Sequence, residues 1–184
     1  MIEVTELGLP GVFEITPARF GDSRGFFSET YCAPRLAERG IDLAFVQDNH
    51  SLSKAAGVLR GLHYQLPPFA QDKLIRVVRG AVLDVAVDIR RNSPTFGAWL
   101  ALEVSAEKWN QILVPKGYAH GFVTLVAGTE VVYKVTEVYA PKHERSIRFD
   151  DPAIGIDWRV PADGVTLSDK DSNAPLLADA DVFE

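Results

Sequence analysis

Cysteine and histidine are both scarce in this chain. Cys32 is the only cysteine among 184 residues, and there are only four histidines. A single cysteine excludes an intrachain disulfide and a cysteine-rich zinc site. Four histidines also supply a metal site with three or four protein ligands poorly, so we expect no catalytic metal.

Basic residues are in deficit as well. The chain has 19 lysines and arginines against 25 aspartates and glutamates, which gives a net charge of -6. A nucleic-acid scaffold normally carries the opposite balance, so no nucleic-acid partner is expected. An acidic chain can still bind a phosphorylated ligand where its cations converge.

Long apolar runs are missing. No segment approaches the ~20 apolar residues that a membrane helix needs, so we expect no membrane partner. Residues 1–6 lack the basic region that opens a secretory signal. These two absences lead us to expect a cytoplasmic protein.

Short apolar segments with a period of two are what the chain does contain. From 82 to 89, every odd position is Leu, Val or Ile, while the even positions include two aspartates. This alternation predicts a β-strand. Further strands are expected at 74–78, 99–104, 111–114, 121–126 and 130–139, with glycine and proline turns between them.

Only one helix is clearly indicated. Pro34 would lie in its first turn and Gly40 would end it, whereas the tail after Trp158 reads as irregular. A chain of 184 residues favours a single domain, residues 1–184. The pattern predicts a mainly β sandwich or barrel that encloses a small-ligand pocket.

One short region combines groups that suit proton transfer at carbon. Residues 60–65 read Arg-Gly-Leu-His-Tyr-Gln, and Lys73 follows closely. Histidine can accept a proton near neutral pH. Lysine or arginine can stabilise the negative charge that develops when a carbon beside a carbonyl loses its proton. The region is therefore typical of an enzyme that deprotonates such a carbon.

Further blocks surround this region in a fixed order. They are 20–29 (FGDSRGFFSE), 47–51 (QDNHS), 60–65 (RGLHYQ), 87–90 (VDIR), 93–97 (SPTFG), 115–122 (PKGYAHGF), 133–136 (YKVT), 150–152 (DDP) and 167–171 (LSDKD). Together they closely resemble the dTDP-4-dehydrorhamnose 3,5-epimerase family. The resemblance implies a cupin-like jelly-roll β-barrel or sandwich with a few short helices.

The resemblance also implies a reaction. Enzymes of this family invert C3 and C5 of dTDP-4-keto-6-deoxy-D-glucose, which gives dTDP-4-keto-L-rhamnose on the route to dTDP-L-rhamnose. Both carbons flank the C4 ketone, so removal of either hydrogen gives an enolate, and return of a proton to the opposite face inverts the centre. Because the substrate's own ketone accepts the electrons, no cofactor is expected. The family forms homodimers, so a homodimeric isomerase is implied here.

Catalytic roles carry over to four positions of this sequence. His63 resembles the general base, and Asp171 resembles the carboxylate that orients it, with Asp169 as a rival two residues away. Tyr133 resembles the general acid, and a tyrosine with a pKa near ~10 is protonated at neutral pH. Lys73 resembles the residue that faces the ketone oxygen.

Substrate-binding roles carry over to a larger set. Arginine suits diphosphate oxygens because its fork of donors matches them, and the other members match positions that contact the nucleotide or the sugar. The set is Arg24, Glu29, Gln47, Asn49, Arg60, His120, Glu144 and Lys170.

His120 lies in a segment that resembles the second cupin motif, where histidine often binds a metal. The first cupin motif normally supplies a His-x-His pair, but here His63 is followed by Tyr64 and Gln65. We therefore interpret His120 as a residue of the pocket wall or a substrate contact.

Three other functions are compatible with parts of this pattern. An epimerase acting at C3 or C5 alone would keep the same histidine and tyrosine. A metal-dependent cupin oxygenase or isomerase is disfavoured by the missing second histidine. A non-catalytic module that binds nucleotide sugars would not need a paired base and acid.

Overall fold

Two antiparallel β-sheets pack face to face in this chain, of which a computed structural model describes residues 2–160 and 164–184. The described strands are β1 (Ile2–Glu6), β2 (Phe13–Pro17), β3 (Phe20–Asp22), β4 (Gly25–Phe27), β5 (Gln47–Ser53), β6 (Leu59–Gln65), β7 (Lys73–Arg79), β8 (Ala81–Asp88), β9 (Trp99–Ser105), β10 (Gln111–Val114), β11 (Tyr118–Thr124), β12 (Thr129–Val135) and β13 (Glu144–Ser146).

The strands form a six-stranded and a five-stranded sheet. The six-stranded sheet has the order β1-β2-β10-β7-β12-β5, and the five-stranded sheet has the order β13-β6-β11-β8-β9. A separate hairpin is made by β3 and β4. The predicted mainly β sandwich is confirmed.

Among the described residues, helical structure is limited to short pieces. The helices are α1 (Ala33–Ala37) and α2 (Asp169–Ser172), followed by a 3-10 turn at Leu177–Asp179. The predicted helix is α1, with a proline in its first turn and Gly40 at φ +84° just beyond it. In the described part of the chain, no helix has the length and apolarity to cross a membrane.

The strand predictions are right in position and less accurate at their ends. β10 has the predicted bounds, and β7, β8 and β9 contain or overlap the predicted segments. β12 ends at Val135 instead of 139. Beyond it the main chain bonds to side chains, because the Glu137 carbonyl accepts from Gln71 and the Tyr139 amide donates to Gln47.

Apolar side chains fill three layers. Ile75 and Val104 pack between the two sheets. Val85 packs in a cluster with Trp158 of the C-terminal segment, which covers the outer face of the five-stranded sheet. Leu36 of α1 covers part of the outer face of the six-stranded sheet. The five-stranded sheet is therefore buried on both faces.

This double burial changes the meaning of the period-two pattern in β8. Leu83 and Val85 pack beneath the C-terminal segment, whereas Val82 and Ala86 face the space between the sheets. Asp84 has the same parity as Val82 and Ala86 and is 0% exposed. The even-numbered face of β8 thus places a carboxylate inside the sandwich.

A β-bulge in β6 sets which side chains enter that space. In the pairing with β11, His120 lies opposite His63 and Phe122 lies opposite Arg60, so the longer step is on β6. Residues three apart in a regular strand point to opposite faces. The extra residue lets Arg60 and His63 line the same cavity.

Gly61 makes the bulge possible. Its φ is +127°, and a Cβ atom there would lie 2.5 Å from Gly121 Cα and 2.8 Å from the His120 carbonyl oxygen. Both neighbours are main-chain atoms that cannot rotate away.

We predict that Gly61→Ala lowers the free energy of unfolding by roughly 1–3 kcal/mol, because the strained φ and the main-chain clash cannot both be relieved. Urea unfolding followed by circular dichroism measures this. Gly8→Ala is the matched control, since a Cβ atom at Gly8 meets nothing within 4 Å. Equal unfolding midpoints for the two variants would contradict the prediction.

Candidate active site

A cavity with two lobes lies between the sheets. The large lobe has a volume of about 500 Å³ and the small lobe about 220 Å³. His63, Lys73 and Tyr133 line both lobes. The five-stranded sheet supplies His63, whereas the six-stranded sheet supplies Lys73 and Tyr133. The two walls of the cavity therefore carry different chemistry.

His63 is held by a carboxylate. Its Nε2 atom lies 2.5 Å from Asp171 Oδ1, and Asp171 is 3% exposed. Burial acts to raise the pKa of Asp171, but the hydrogen bond and charge of His63 hold it below its ordinary value. An ionised Asp171 accepts the Nε2 proton, which leaves Nδ1 as the ring nitrogen that can take a proton from substrate.

The short helix α2 brings Asp171 to this position. Ser168 is its N-cap, and the Ser168 hydroxyl accepts a hydrogen bond from the Asp171 amide. Asp169, the rival candidate, is exposed. The structure thus pairs His63 with Asp171 and not with Asp169.

Lys73 is a buried cation beside His63. Its Nζ atom donates to the His63 carbonyl oxygen at 3.1 Å. Burial lowers the pKa of Lys73 to about 8, although the charges of Asp84 and Glu144 act in the opposite direction. An ammonium in a dry site stabilises a nearby oxyanion far more than it would in water.

Tyr133 occupies the opposite wall. It lies on β12, between Asn49 of β5 and Ile75 of β7. Burial raises the pKa of Tyr133, and the charge of Arg60 only partly opposes this. The phenol therefore keeps its proton at neutral pH and can donate it.

The large lobe also contains Arg60, His120 and Asp171. His120 is 7% exposed, and its Nε2 atom lies 2.9 and 3.0 Å from the two carboxylate oxygens of Asp84. A second histidine–aspartate pair thus stands beside the first, since His120 and His63 are cross-strand neighbours.

The small lobe contains Gln47, Asn49 and Glu144. Gln47 donates to Asn49 at 2.9 Å. Glu144 accepts from Tyr139 at 2.8 Å and forms a 2.7 Å ion pair with Lys170. Burial acts to raise the pKa of Glu144, but Lys170 and Tyr139 hold it below its ordinary value.

Two predicted binding residues lie elsewhere on the chain. Arg24 is on the β3–β4 hairpin, pairs with Asp22, and has a side chain that is 89% exposed. Glu29 pairs with Arg35 at 3.0 Å. Among the residues that the structure describes, neither lobe is lined by Arg24 or Glu29.

Two other cavities are comparable in volume. One, of about 800 Å³, is lined by Pro67, Pro68 and Arg90 among others, and one, of about 460 Å³, includes His50 and Arg76. The cavity between the sheets is the candidate site because perturbed acids and bases converge there. Within residues 2–160 and 164–184, no group of three His, Cys, Asp or Glu side chains could hold a metal ion.

Asp84, whose carboxylate meets the cavity residue His120, was not singled out by the sequence interpretation. The available signal was the pair of aspartates, Asp84 and Asp88, on one face of an otherwise apolar strand. The period-two alternation of apolar residues does not by itself tell whether that face meets solvent or a second sheet.

Known proteins that are similar to this chain over nearly its whole length belong to one family. A family model described as dTDP-4-dehydrorhamnose 3,5-epimerase matches residues 6–179. The curated protein of that name from Pseudomonas aeruginosa is 50% identical over 183 residues, covering 99% of each chain. The one from Sinorhizobium fredii is 49% identical over 176 residues, covering 96% of this chain and 90% of that protein.

Solved structures share the fold at similar identity. The Legionella pneumophila dTDP-6-deoxy-D-glucose-3,5-epimerase, in complex with dTDP-4-keto-L-rhamnose, has a TM-score of 0.93 at 46% identity and covers 98% of this chain and 95% of its own. A 3'-monoepimerase from Streptomyces bikiniensis, in complex with dTDP-quinovose, has a TM-score of 0.86 at 37% identity, covering 94% and 86%. The chain belongs to the dTDP-4-dehydrorhamnose 3,5-epimerase family.

Proposed function

We propose that this chain is a dTDP-4-dehydrorhamnose 3,5-epimerase, an isomerase that converts dTDP-4-keto-6-deoxy-D-glucose to dTDP-4-keto-L-rhamnose in dTDP-L-rhamnose biosynthesis. One observation carries the proposal. A carboxylate-oriented histidine and a protonated tyrosine stand on opposite walls of one cavity, and the buried amine of Lys73 belongs to the same lining. Inversion of a carbon centre needs a proton removed from one face and returned to the other.

The first step is proton abstraction by His63. Nδ1 of His63 takes the hydrogen from C3 or C5, and the electron pair of that C–H bond moves into the carbon–carbon bond next to C4. The C4 oxygen gains the negative charge, which Lys73 stabilises. Asp171 stabilises the imidazolium that forms.

The second step is proton return by Tyr133. Its phenol donates a proton to the carbon from the opposite face, the electron pair returns to reform the C4 ketone, and the centre is inverted. The phenolate is then reprotonated and His63 gives up its proton, so the enzyme returns to its starting state. The substrate ketone accepts and returns the electrons, and the proposal includes no cofactor and no metal.

Binding of the nucleotide part is proposed for polar residues around the two lobes. Arg60 would meet the diphosphate, while Gln47, Asn49, Glu144 and His120 would contact sugar or nucleotide, with Lys170 acting beside Glu144. A Bacillus anthracis relative with 46% identity has a structure with TDP and PPi bound. We further propose that residues 1–184 form one domain that works in the cytoplasm, where nucleotide sugars are made.

A homodimer would explain where Arg24 and Glu29 act. The β3–β4 hairpin exposes aromatic side chains, with Phe20 62% and Phe27 71% exposed. Exposed aromatic surface of this kind favours association. We propose that the hairpin packs on a second copy and delivers Arg24 and Glu29 to that copy's cavity.

Epimerisation at one carbon alone is the second candidate. The Streptomyces bikiniensis relative is a 3'-monoepimerase, and its double variant with one histidine and one tyrosine replaced was solved with dTDP. A histidine and a tyrosine would therefore serve a double epimerase or a mono-epimerase. Only the measured hydrogen exchange at C3 and at C5 distinguishes the two enzymes.

Proton NMR of dTDP-4-keto-6-deoxyglucose in heavy water tests the proposed reaction. We expect the protein to exchange both the C3 and the C5 hydrogens, and His63→Asn to slow both exchanges about 10²–10⁴-fold because the base is lost. His50→Asn is the control, since His50 lies on an exposed strand position paired with Glu130. Exchange at one carbon would establish a mono-epimerase, and exchange at neither, with dTDP bound, would refute the proposal.

Replacing Tyr133 by phenylalanine separates the two steps. We expect hydrogen exchange at C3 to continue, because His63 can return a deuteron to the same face, while inverted product falls by about 10²–10⁴-fold. The measurement compares exchange and product in one NMR time course. Tyr31→Phe, at a tyrosine packed on Phe45, is the control. Unchanged formation of inverted product would rule out Tyr133 as the acid.

Mixed dimers test whether Arg24 acts across subunits. The Arg24→Ala chain lacks a proposed binding residue, and the His63→Asn chain lacks the proposed base. Either homodimer should therefore have low activity at sub-saturating substrate. A one-to-one mixture of refolded chains should recover roughly a quarter of wild-type activity, since half the dimers would hold one complete site. If mixing restores no activity, Arg24 does not act in the second subunit.

A further inference from the structure

Asp84 is a fully buried carboxylate to which the proposed reaction assigns no role. It is 0% exposed, and its two oxygens meet the same ring nitrogen, His120 Nε2. A buried carboxylate costs stability unless its charge is compensated. His120 supplies a hydrogen bond, so the remaining question is which cation balances the charge.

Lys73 is a buried cation on the facing sheet. It is 9% exposed and donates to the His63 carbonyl oxygen. Lys73 lines the same lobe as His120, whose Nε2 atom meets Asp84. His120 is also the cross-strand neighbour of His63, the residue to which Lys73 donates. Burial acts to lower the pKa of Lys73, and among the charges that oppose this effect, Asp84 acts more strongly than Glu144. Lys170 acts in the same direction as burial.

Glu144 is a weaker candidate for balancing the charge of Lys73, because it already pairs with Lys170 and accepts a hydrogen bond from Tyr139. The titratable and charged groups that line the two lobes with Lys73, or whose charge acts on it, are Arg60, His63, Tyr64, Asp84, His120, Tyr133, Tyr139, Glu144, Lys170 and Asp171.

We propose that Asp84 is a positioning residue: it orients His120 through Nε2, and its buried negative charge keeps the Lys73 side chain an ammonium inside the cavity. The inference rests on the proposed function, because it gives the oxyanion-stabilising lysine the charge that function needs. Asp84 touches neither the reacting carbons nor the ketone in this account and acts through Lys73 and His120.

The pH dependence of kcat/KM tests this role. Wild-type protein should lose activity on the alkaline side near the Lys73 pKa of about 8, because the neutral amine cannot stabilise the oxyanion. Asp84→Asn keeps the shape and a hydrogen bond to His120 but removes the charge. Its alkaline limb should move to lower pH by about one unit, with activity recovering as the pH is lowered through that new limb.

A purely structural role would lower activity by the same factor at every pH and leave the limb in place, and that result would overturn the proposal. Asp88→Asn is the matched control: Asp88 is also 0% exposed on β8, but it serves Arg90, Ser93 and Thr95. Its limb should stay at the wild-type position.

Two more variants cover a folding failure of Asp84→Asn and a separate contribution from His120. Asp84→Ser is a smaller neutral replacement that should show the same shift if the asparagine variant does not fold. His120→Asn leaves the Asp84 charge in place and should keep the limb near its wild-type pH while raising KM. A limb that moves in His120→Asn and not in the neutral Asp84 variants would overturn the assignment. Failure of the wild-type protein to epimerise would instead count against the proposed function.

Discussion

The extra residue in β6 is the constraint on which the cavity depends. Without it, Arg60 and His63 would point to opposite faces of the five-stranded sheet, and one of them would lie beneath the C-terminal segment. The bulge requires a residue at Gly61 that tolerates φ +127° and leaves room for the main chain of β11. A backbone feature thus decides which charged groups can meet one ligand.

The C-terminal segment has two effects that reinforce each other. Its apolar residues cover the outer face of the five-stranded sheet, and the short helix α2 then carries Asp171 to His63 across 108 residues of sequence. Because both faces of the sheet are buried, hydrogen bonds and charges in the cavity act in a lower dielectric than that of water. The same segment therefore buries the sheet and orients His63, the proposed base.

Much of the fold could be predicted from the sequence, because period two and turn residues report local structure directly. β10 and the β7–β8 turn at Gly80 are examples. The site was reached through the family resemblance and not through periodicity, which places His63 and Arg60 on opposite faces. The bulge, the α2 cap and the burial of Asp84 all depend on contacts between distant segments, so local patterns could not predict them.

Arg24 illustrates a different limit. Its motif predicts a contact with substrate, yet a single chain places it on an exposed hairpin. Motif and geometry agree in the proposed homodimer, in which a second copy completes the cavity. Local sequence can indicate that a residue binds substrate, but it does not tell in which subunit's cavity the residue acts.

The buried lysine shows what such a cavity costs the fold. Burial lowers the pKa of Lys73 in the folded chain to about 8 from its ordinary value of 10.5, so the folded chain binds this proton less tightly than the unfolded chain does. Below pH 8 the ammonium therefore reduces the free energy of unfolding, and this cost disappears only as the pH rises above 10.5. A cation whose burial costs much free energy is also strongly stabilised when an oxyanion forms beside it. The cost of burying Lys73 and its proposed value to an enolate thus have the same physical cause, the removal of water.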